Sequence, residues 1–340
     1  MVASLALIVG TTLIVGPGQT YARIEDALAA ASPGDRIEVM PGEYPKTALL
    51  VKTPRLTFVA RESVVLDGKG FDYAGVGATP RAIFQVAADG VTIQGFDLKG
   101  AHNASHNGAG IRIDAAKDVT VTDCDIHGND MGVMSNGRIG DDTAGDRQAI
   151  ERCHIHHNGD PGEPGQNHNL YLGGTSVTLR FCEVDHSITG HNLKSRAHLT
   201  RVEYCWLHDA HDREMDLVDA WDTQRPGSDA MVIGCVIEKN PEGEGNHGVI
   251  HFGRERGRRD GTLWLANDTI VTPFSTPAIS LDGDEVSTDL LNCVIKATTV
   301  AVGGPAKIRK DDISPAFRYV GKGRWIPTKD KFIGAGGEGL

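Results

Sequence analysis

The sequence contains no apolar run long enough to cross a membrane. Every hydrophobic stretch of the 340-residue chain is interrupted by Gly, Pro or a charged residue before it reaches the roughly 20 residues that a spanning helix needs. Segment 1–15 is apolar but has no Lys or Arg ahead of its hydrophobic residues, so a complete secretory signal is not evident. We therefore expect a soluble protein without a membrane partner.

Cys-x-x-Cys pairs are absent too, which argues against a zinc site built from thiolates. The six cysteines each stand two positions before a branched aliphatic residue, and they are Cys124, Cys153, Cys182, Cys205, Cys235 and Cys293. Successive cysteines are 23 to 30 residues apart, except for one double interval whose missing position falls at Asn267. A fixed period of this size, with insertions of variable length, indicates a solenoid.

The cysteines are predicted to form a buried ladder rather than disulfides. In-register thiols on neighbouring coils lie one strand spacing apart, about 4.8 Å. Their Cα–Cβ vectors run parallel, which is poor disulfide geometry. Such cysteines behave as small hydrophobic residues, so cysteine usage does not decide the compartment.

Each repeat shows the alternation of β-strands rather than the periodicity of helices. Segment 119–126 alternates apolar and polar residues, and a second short strand precedes each cysteine-containing strand. Gly, Asn and Asp punctuate the turns, and the 42 glycines fit many tight bends. Several short strands per repeat, with like residues stacked on like, predict an all-β fold: a single-stranded right-handed parallel β-helix.

The repeat continues without a linker, so we expect a single domain over residues 1–340. Residues 1–54 are interpreted as an opening strand, an amphipathic helix that caps the coil, and a second strand. Residues 55–299 form the repeated coils, and residues 300–340 form a C-terminal cap or tail.

Two sets of polar residues recur along the coils. One set falls three places after successive cysteines and consists of His127, His156, Asp185, His208 and Glu238. We favour a structural role for this set, at the bend after each strand. The other set lies on the second strand of consecutive coils and carries the candidate chemistry.

Alignment of this second set on Leu170, Leu193 and Leu217 places alternate residues outward. It predicts one column of Asn169, Asn192 and Asp216 and a neighbouring column of Tyr171 and Lys194, with Arg196 one outward position further. The following coil contributes His247 and His251. A strip of this composition is unusual for a merely solvated face, although asparagine ladders also occur in stacked strands for structural reasons.

At these residues the sequence resembles the pectate-lyase-like β-helix superfamily. Two motifs are similar to a pattern of bacterial right-handed β-helix repeat proteins, namely His168-Asn169-Leu170-Tyr171-Leu172-Gly173 and Gly190-His191-Asn192-Leu193-Lys194-Ser195-Arg196-Ala197. The resemblance implies a secreted or periplasmic protein that acts on carbohydrate, most often a polysaccharide lyase. An acidic polysaccharide or oligosaccharide is then the expected partner, and we expect a monomer.

The chondroitinase B and alginate lyase branch of this superfamily uses a Lys base, an assisting Arg and calcium. By resemblance, Lys194 and Arg196 take the first two roles. Asn192, Glu214 and Asp216 would hold Ca²⁺, which neutralises the uronate carboxylate in that branch. This sequence departs from the branch because Lys194 and Arg196 share one strand.

β-Elimination of a 4-linked uronate requires removal of its C5 proton, which is weakly acidic until the adjacent carboxylate is neutralised. We expect Arg196 to bind that carboxylate together with Asn169 and with His191 or Asn192, and His168 to contact substrate. Lys194 is the predicted base and Tyr171 the predicted acid, and the reverse assignment is nearly as plausible.

Charge favours an acidic substrate. The net charge is −11, yet segment 254–259 contains four arginines, beginning with Arg254. Such a loop could attract a polyanion or could be a solvated bend. Nucleic acid is a poor candidate because no aromatic platform accompanies the arginines. Trp221, on an insertion, could stack on a sugar ring or cover the coil.

Three alternative functions stay open. A glycoside hydrolase would need paired carboxylates across a cleft, for which Asp216, Asp219 and Asp222 are candidates. A C5 epimerase would share the proton abstraction but not the elimination. A non-catalytic carbohydrate-binding solenoid would retain affinity without turnover.

Overall fold

Parallel strands stack into three continuous faces of one coil. The protein was studied as a computed structural model, which describes residues 10–220, 225–297, 301–309, 312–313, 317–319 and 325–327. Within one coil the chain runs along the first face, turns at a cysteine onto the second face, and crosses a bend or loop to the third face. Each strand pairs with the strands of the preceding and following coils, which confirms the predicted β-helical stack.

The strands divide among the faces as follows. The first face contains Thr12–Val15, Arg36–Val39, the first halves of Thr57–Asp67 and Thr92–Lys99, Thr120–Thr122, Gln148–Glu151, Ser176–Arg180, Leu199–Glu203, Ala230–Ile233, Gly261–Ala266, Val286–Leu291 and Ala306–Arg309. The second contains Gly42–Pro45, the second halves of Thr57–Asp67 and Thr92–Lys99, Asp125–His127, His154–His156, Glu183–Asp185, Trp206–His208, Val236–Glu238, Thr269–Val271, Val294–Lys296 and Asp312–Ile313. The third contains Leu49–Val51, Ala82–Val86, Ala109–Asp114, Met131–Asn136, Leu170–Leu172, Leu193–Ser195, Met215–Val218, Ile250–Gly253, Ile279–Asp282 and Val302–Gly303.

Inward residues form aliphatic stacks that hold the coils together. On the second face Ile126, Ile155, Val184 and Leu207 lie in register and are fully buried. They belong to one continuous cluster of buried residues that extends from the first strand to the last coils. Alternate residues therefore point outward in register, so that a sequence repeat becomes a column of side chains on the surface.

The predicted cysteine ladder is confirmed. All six cysteines are buried free thiols. The Sγ of Cys205 accepts a hydrogen bond from the backbone N–H of Cys182, and the Sγ of Cys235 accepts one from the N–H of Cys205. The prediction that Asn267 fills the missing cysteine position is wrong by one residue. On the coil after Cys235 the acceptor that replaces the thiol is Asp268, whose Oδ1 accepts a hydrogen bond from the backbone N–H of Cys235 at 2.7 Å.

A short helix, Ile24–Ala30, follows the first strand. It buries Ile24 and Ala27 in the common core and packs against Thr12–Val15 and Arg36–Val39. Its role as a cap, and the division of the chain into domains, stay predictions. Of the predicted C-terminal cap, the structure describes the last strands of the coil and an antiparallel pair, Phe317–Tyr319 with Trp325–Pro327.

None of the helices in the described residues is both long and apolar enough to span a bilayer.

Candidate functional site

The outward residues of the third face form one in-register line, which we call the central column. It consists of Gln85, Arg112, Met134, Tyr171, Lys194, Asp216, His251 and Ser280. The predicted pairing of Tyr171 with Lys194 is therefore confirmed by the register. Strands on a rigid coil hold these side chains one strand spacing apart.

The predicted column of Asn169, Asn192 and Asp216 is wrong. Leu193 pairs with Met215, and Lys194 pairs with Asp216. The strand beginning at Met215 is thus shifted by two residues from the alignment on Leu217. Asp216 consequently extends the line of Tyr171 and Lys194.

The asparagines form a ladder inside the coil instead of facing solvent. Each side-chain amide donates to the next residue of the series Asn129, Asn158, Asn169, Asn192 and Glu214, over distances of 3.0, 2.9, 2.8 and 2.7 Å. All five side chains are buried. The prediction that Asn169 and Asn192 bind substrate is not supported by this placement, because their polar atoms are already used within the protein.

Glu214 ends the asparagine ladder and contacts the buried Lys239, whose Nζ lies 3.4 Å from Glu214 Oε1. Burial raises the pKa of Glu214, against the opposing charge of Lys239. The predicted calcium ligands Asn192, Glu214 and Asp216 therefore do not fit one ion. Two of them lie in the ladder, whereas Asp216 lies outside among cationic groups, and we derive no step through calcium.

Lys194 lies between two carboxylates. Its Nζ is 3.0 Å from Asp216 Oδ2 and 2.7 Å from Glu255 Oε1, and the side chain is only 10% exposed. Glu255 comes from the loop that follows Ile250–Gly253, two coils further along the third face, and its backbone N–H bonds to Asp219. A substrate can therefore reach the Lys194 amine only if one of these carboxylates moves away.

Glu255 also binds Arg196, and together they cover Tyr171. Both the Nε and the Nη2 of Arg196 donate to Glu255 Oε2, the former at 2.8 Å. The Arg196 guanidinium lies 5.0 Å from the centre of the Tyr171 ring. Burial raises the pKa of Tyr171, against the positive charges of Arg196 and Lys194. The phenol is therefore protonated at neutral pH.

Asp216 is the most heavily paired group of the central column. It contacts Lys194, His251 at 2.9 Å, Arg213 at 3.3 Å and His191 at 3.4 Å. Burial alone would raise its pKa, but the hydrogen bond from His251 and the charges of Lys194 and Arg213 hold the pKa well below its usual range. Asp216 is thus a fixed negative charge that orients its neighbours.

The two histidines that precede the asparagines stack on each other at the edge of the column. The rings of His168 and His191 are 4.9 Å apart and nearly parallel. Nδ1 of His168 accepts the His191 N–H, and Nδ1 of His191 accepts the Arg213 N–H, each at 3.0 Å. Burial lowers the pKa of His191 to about 4 and that of His168 well below its usual value. Both rings are neutral and are held by the backbone.

The other predicted substrate contacts are dispersed. His247 stacks on Phe274 and hydrogen-bonds a backbone carbonyl, and Arg254 pairs with Asp282. Arg259, the last arginine of the same loop, is buried against Phe252, and burial lowers its pKa to about 10. The loop therefore presents fewer unpaired guanidinium groups to solvent than its composition predicts. Trp221 and Asp222 lie outside the described residues.

A cavity of about 290 Å³ adjoins the column on the side of Tyr171. Its lining includes Tyr171, Arg196, Arg112 and Arg138. Sequence reasoning missed the last two arginines and also Glu255, because they lie on other coils or on loops. The arginines make the cavity suited to an anionic ligand.

Solved structures similar to this chain include polysaccharide-degrading enzymes. An alginate lyase from Paenibacillus sp. str. FPU-7 has a TM-score of 0.61 and 14% identity, over 89% of this chain and 99% of that chain. A rhamnogalacturonan lyase gives 0.60 and 12%, over 90% and 87%. The polygalacturonase from Erwinia carotovora ssp. carotovora gives 0.53 and 11%, over 90% and 96%. The chain is a right-handed parallel β-helix.

No protein-family model and no curated protein matches the sequence. At these identities the similarity establishes the fold alone, and β-helices of this kind include both lyases and a polygalacturonase. The chemistry of this β-helix must therefore be argued from its own residues.

Proposed function

We propose that the protein is an enzyme that cleaves a uronate-containing polysaccharide by β-elimination at the central column. The observation that carries this proposal is the carboxylate of Glu255, which bridges Lys194 and Arg196 beside the Tyr171 ring. A pair of cations that binds one carboxylate through both oxygens has the geometry to bind another.

In the proposed complex, the uronate carboxylate replaces that of Glu255. Arg196 presents a planar fork of donors, which suits two oxygens of one carboxylate. Neutralisation of the carboxylate makes the adjacent C5 proton more acidic and stabilises the charge that develops in the transition state. Because one Glu255 side chain bridges both cations, its displacement from Arg196 also releases Lys194.

Once Glu255 has left, Lys194 gives one proton to solvent. The neutral amine then takes the C5 proton, and the bond from C4 to the leaving oxygen breaks as the C4–C5 double bond forms. Tyr171 gives its proton to the leaving oxygen. The phenol carries its proton at neutral pH, and the positive charge of the nearby Arg196, which opposes the rise of the Tyr171 pKa, stabilises the phenolate that results. Transfer of the proton from Lys194 to Tyr171, directly or through solvent, restores both groups.

Asp216, His191 and His251 are positioning residues in this scheme. Asp216 holds the Lys194 amine on the column, while His191 and His251 hold Asp216. The neighbouring arginines Arg112 and Arg138 offer contacts for the next acidic sugar along the chain.

A hydrolase fits the described residues less well. It needs one protonated carboxyl group and a second carboxylate. Asp216 is held ionised by its cationic neighbours, and Asp219 is buried and accepts the N–H groups of Glu255 and Arg256. Among the described residues, neither of these two candidates offers a free proton donor.

The test is the ultraviolet absorbance of the conjugated double bond that β-elimination creates. It would be followed on a panel of polyuronates and glycosaminoglycans, with calcium and with a chelator. We expect product from the wild type and none from Tyr171→Phe or Lys194→Ala. Tyr204→Phe and Lys117→Ala remove a similar group from positions outside the central column and are expected to keep full activity.

Other outcomes would replace the proposal. New reducing ends without the chromophore would indicate a hydrolase, and exchange of the C5 hydrogen with solvent without cleavage would indicate an epimerase. Binding without turnover would indicate a carbohydrate-binding solenoid. Export from the cell and a monomeric state remain predictions, to be checked by fractionation and by light scattering.

A further inference from the structure

A second group of polar side chains lies on the second face, away from the central column. Outward positions of this face carry two in-register lines of His, Asp and Glu. In one line Asp125, His154 and Glu183 are aligned on consecutive coils, and in the other His156 lies beside Asp185. The proposed elimination uses none of these residues.

Three of these side chains converge at one point. His154 and His156 leave the same strand on the same side, with Ile155 buried between them. Asp125 Oδ1 on the preceding coil lies 3.0 Å from His156 Nε2 and 4.0 Å from His154 Nδ1. One donor atom from each of the three residues lies within 4.8 Å of the others.

We propose that Asp125, His154 and His156 bind a divalent transition-metal ion, with Zn²⁺ as the physiological candidate. In a tetrahedral zinc site, bonds of about 2.0–2.1 Å hold the donor atoms about 3.4 Å apart. The distances from the Asp125 oxygen lie on either side of that value, so small rotations of exposed side chains complete the site. Two imidazoles and one carboxylate suit Zn²⁺ and disfavour Ca²⁺, which prefers oxygen donors.

The outer nitrogens of both histidines are already held. His154 Nε2 lies 2.7 Å from Asp185 Oδ1, and His156 Nδ1 lies 2.7 Å from His157 Nδ1. These contacts leave Nδ1 of His154 and Nε2 of His156 directed at Asp125. Metal-binding histidines usually have their second nitrogen fixed in this manner, often by a carboxylate.

The surroundings leave room for a further ligand. The side chains of Asp125 and His154 are 48% and 40% exposed. Three protein donors with solvent access describe an open site, in which water or an external ligand takes the fourth position. Because the donors come from two coils, a bound ion would also join those coils.

Two other groupings satisfy the same distances. In that of Asp185, His186 and His208, Nδ1 of His208 is already bound to Asp209. The grouping of His154, Glu183 and Asp185 uses only one histidine. Its Asp185 carboxylate is already bound to both His154 and His186. Asp125 and Glu183 thus form a matched pair for a test. Both are carboxylates aligned with His154, one on the preceding coil and one on the following coil.

The experiment is titration of the full chain, freed of any affinity tag, with Zn²⁺ alone by calorimetry and with Co²⁺ by visible absorption. We expect one ion per chain and loss of binding in His154→Ala and His156→Ala. Asp125→Asn should weaken binding at least tenfold, whereas Glu183→Gln should not change it. Asp185→Asn should weaken binding by about 10–100-fold, as removal of an outer-shell partner does. Ca²⁺ should not compete.

Circular dichroism of each variant shows whether it is folded, and His102→Ala removes an exposed histidine that pairs with Asp130 elsewhere. The proposal also predicts that Zn²⁺ raises the melting temperature of the wild type and of His102→Ala but not of His156→Ala. Absence of saturable binding would overturn it. So would binding that survives in Asp125→Asn and disappears in Glu183→Gln.

Discussion

The asparagine ladder lies inside the coil at the bends that precede the third face, the central column lies outside on the strands of that face, and the two use polar groups in opposite ways. Inside, every amide donates to the next residue, and the series ends at the buried pair of Glu214 and Lys239. Outside, Lys194 and Arg196 share the carboxylate of Glu255, a residue on a neighbouring loop.

The difference lies in what can replace each partner. A buried donor that loses its acceptor cannot hydrogen-bond to water instead. Disturbing the ladder therefore lowers the free energy of unfolding, and the ladder fixes the register of the coils. A partly exposed ion pair is close to balanced against solvation and can exchange one carboxylate for another. Substitutions in the ladder should therefore change stability, whereas substitutions in the column should change binding and turnover.

The largest effect is expected at the buried end of the ladder. Lys239→Met leaves Glu214 buried without its cation, which typically costs about 3–5 kcal/mol of the free energy of unfolding. Urea denaturation followed by circular dichroism measures this loss. The double variant Lys239→Met/Glu214→Gln should regain much of it, because the uncompensated charge is gone.

A folded fraction of Lys239→Met should keep its turnover, since Lys239 lies inside the coil. Equal loss of stability in the single and double variants would show that packing and the hydrogen bonds from Lys239 to the carbonyls of Ala210 and Asp212, rather than the charge of Glu214, make Lys239 important. Loss of turnover in fully folded protein would show that the ladder and the column are not independent.

The next effect concerns His191, which stands between the two regions. Burial lowers its pKa from 6.5 to about 4, although the charge of Asp216 opposes the shift. The unfolded chain therefore binds this proton at a higher pH than the folded protein does. His191 should make the protein lose stability as the pH falls from 6.5 towards 4, by at most about 3 kcal/mol.

Urea denaturation at several pH values tests this prediction. His191→Gln should flatten the dependence in that range. His102→Gln should act in the opposite direction, because the hydrogen bond that His102 donates to Asp130 raises the pKa of His102 despite its partial burial, and the stabilisation is lost as the pH rises. If His191→Gln leaves the dependence unchanged, His191 is not the group that titrates.

The fold could be predicted because every coil must bury its apolar residues against the neighbouring coils. Each turn of the coil stacks its apolar residues on those of the previous turn, so the requirement appears in the sequence as a period. The position of Tyr171 beside Lys194 followed from two motifs of matching spacing, His-Asn-Leu in both coils. Within the site, the pairing of these two neighbouring strands is the part that could be predicted from the sequence.

The position of Asp216 could not be predicted by the same alignment. The segment Glu214-Met215-Asp216-Leu217 offers two apolar residues, and a shift of two residues keeps all side chains on the same faces. The choice is made by Glu214, which takes the place of an asparagine at the end of the ladder. The sequence did contain a signal for this register: Glu214 could have been aligned with Asn169 and Asn192, because a carboxylate can accept the hydrogen bond that the last asparagine donates.

The orientation of Asn169 and Asn192 was also missed, because strict alternation holds only within a strand. Each residue stands just before its strand, where the chain bends and the side chain turns inward. Glu255 could not be found from the pattern at all, because it lies 61 residues after Lys194 on a loop. Contacts made by loops depend on the whole fold rather than on the repeat.

The smallest effect is expected at Glu255, the carboxylate that a substrate would replace in the central column. Glu255→Gln removes the carboxylate that competes with substrate for Lys194 and Arg196. Because the pair is partly exposed, the gain should be on the order of 1 kcal/mol, seen as a several-fold lower KM for a uronate oligosaccharide. Asp282→Asn removes the carboxylate partner of Arg254 on the same loop and serves as the matched control, with an unchanged KM.

The sign of the Glu255 effect separates two views of the column. If Glu255 only occupies the cations until substrate arrives, kcat stays near the wild-type value while KM falls. If KM rises or kcat collapses in Glu255→Gln, Glu255 belongs to the catalytic machinery, and the carboxylate of the substrate must bind elsewhere. In that case the cavity lined by Arg112 and Arg138 is the next position to test, by substitution of each arginine with Gln.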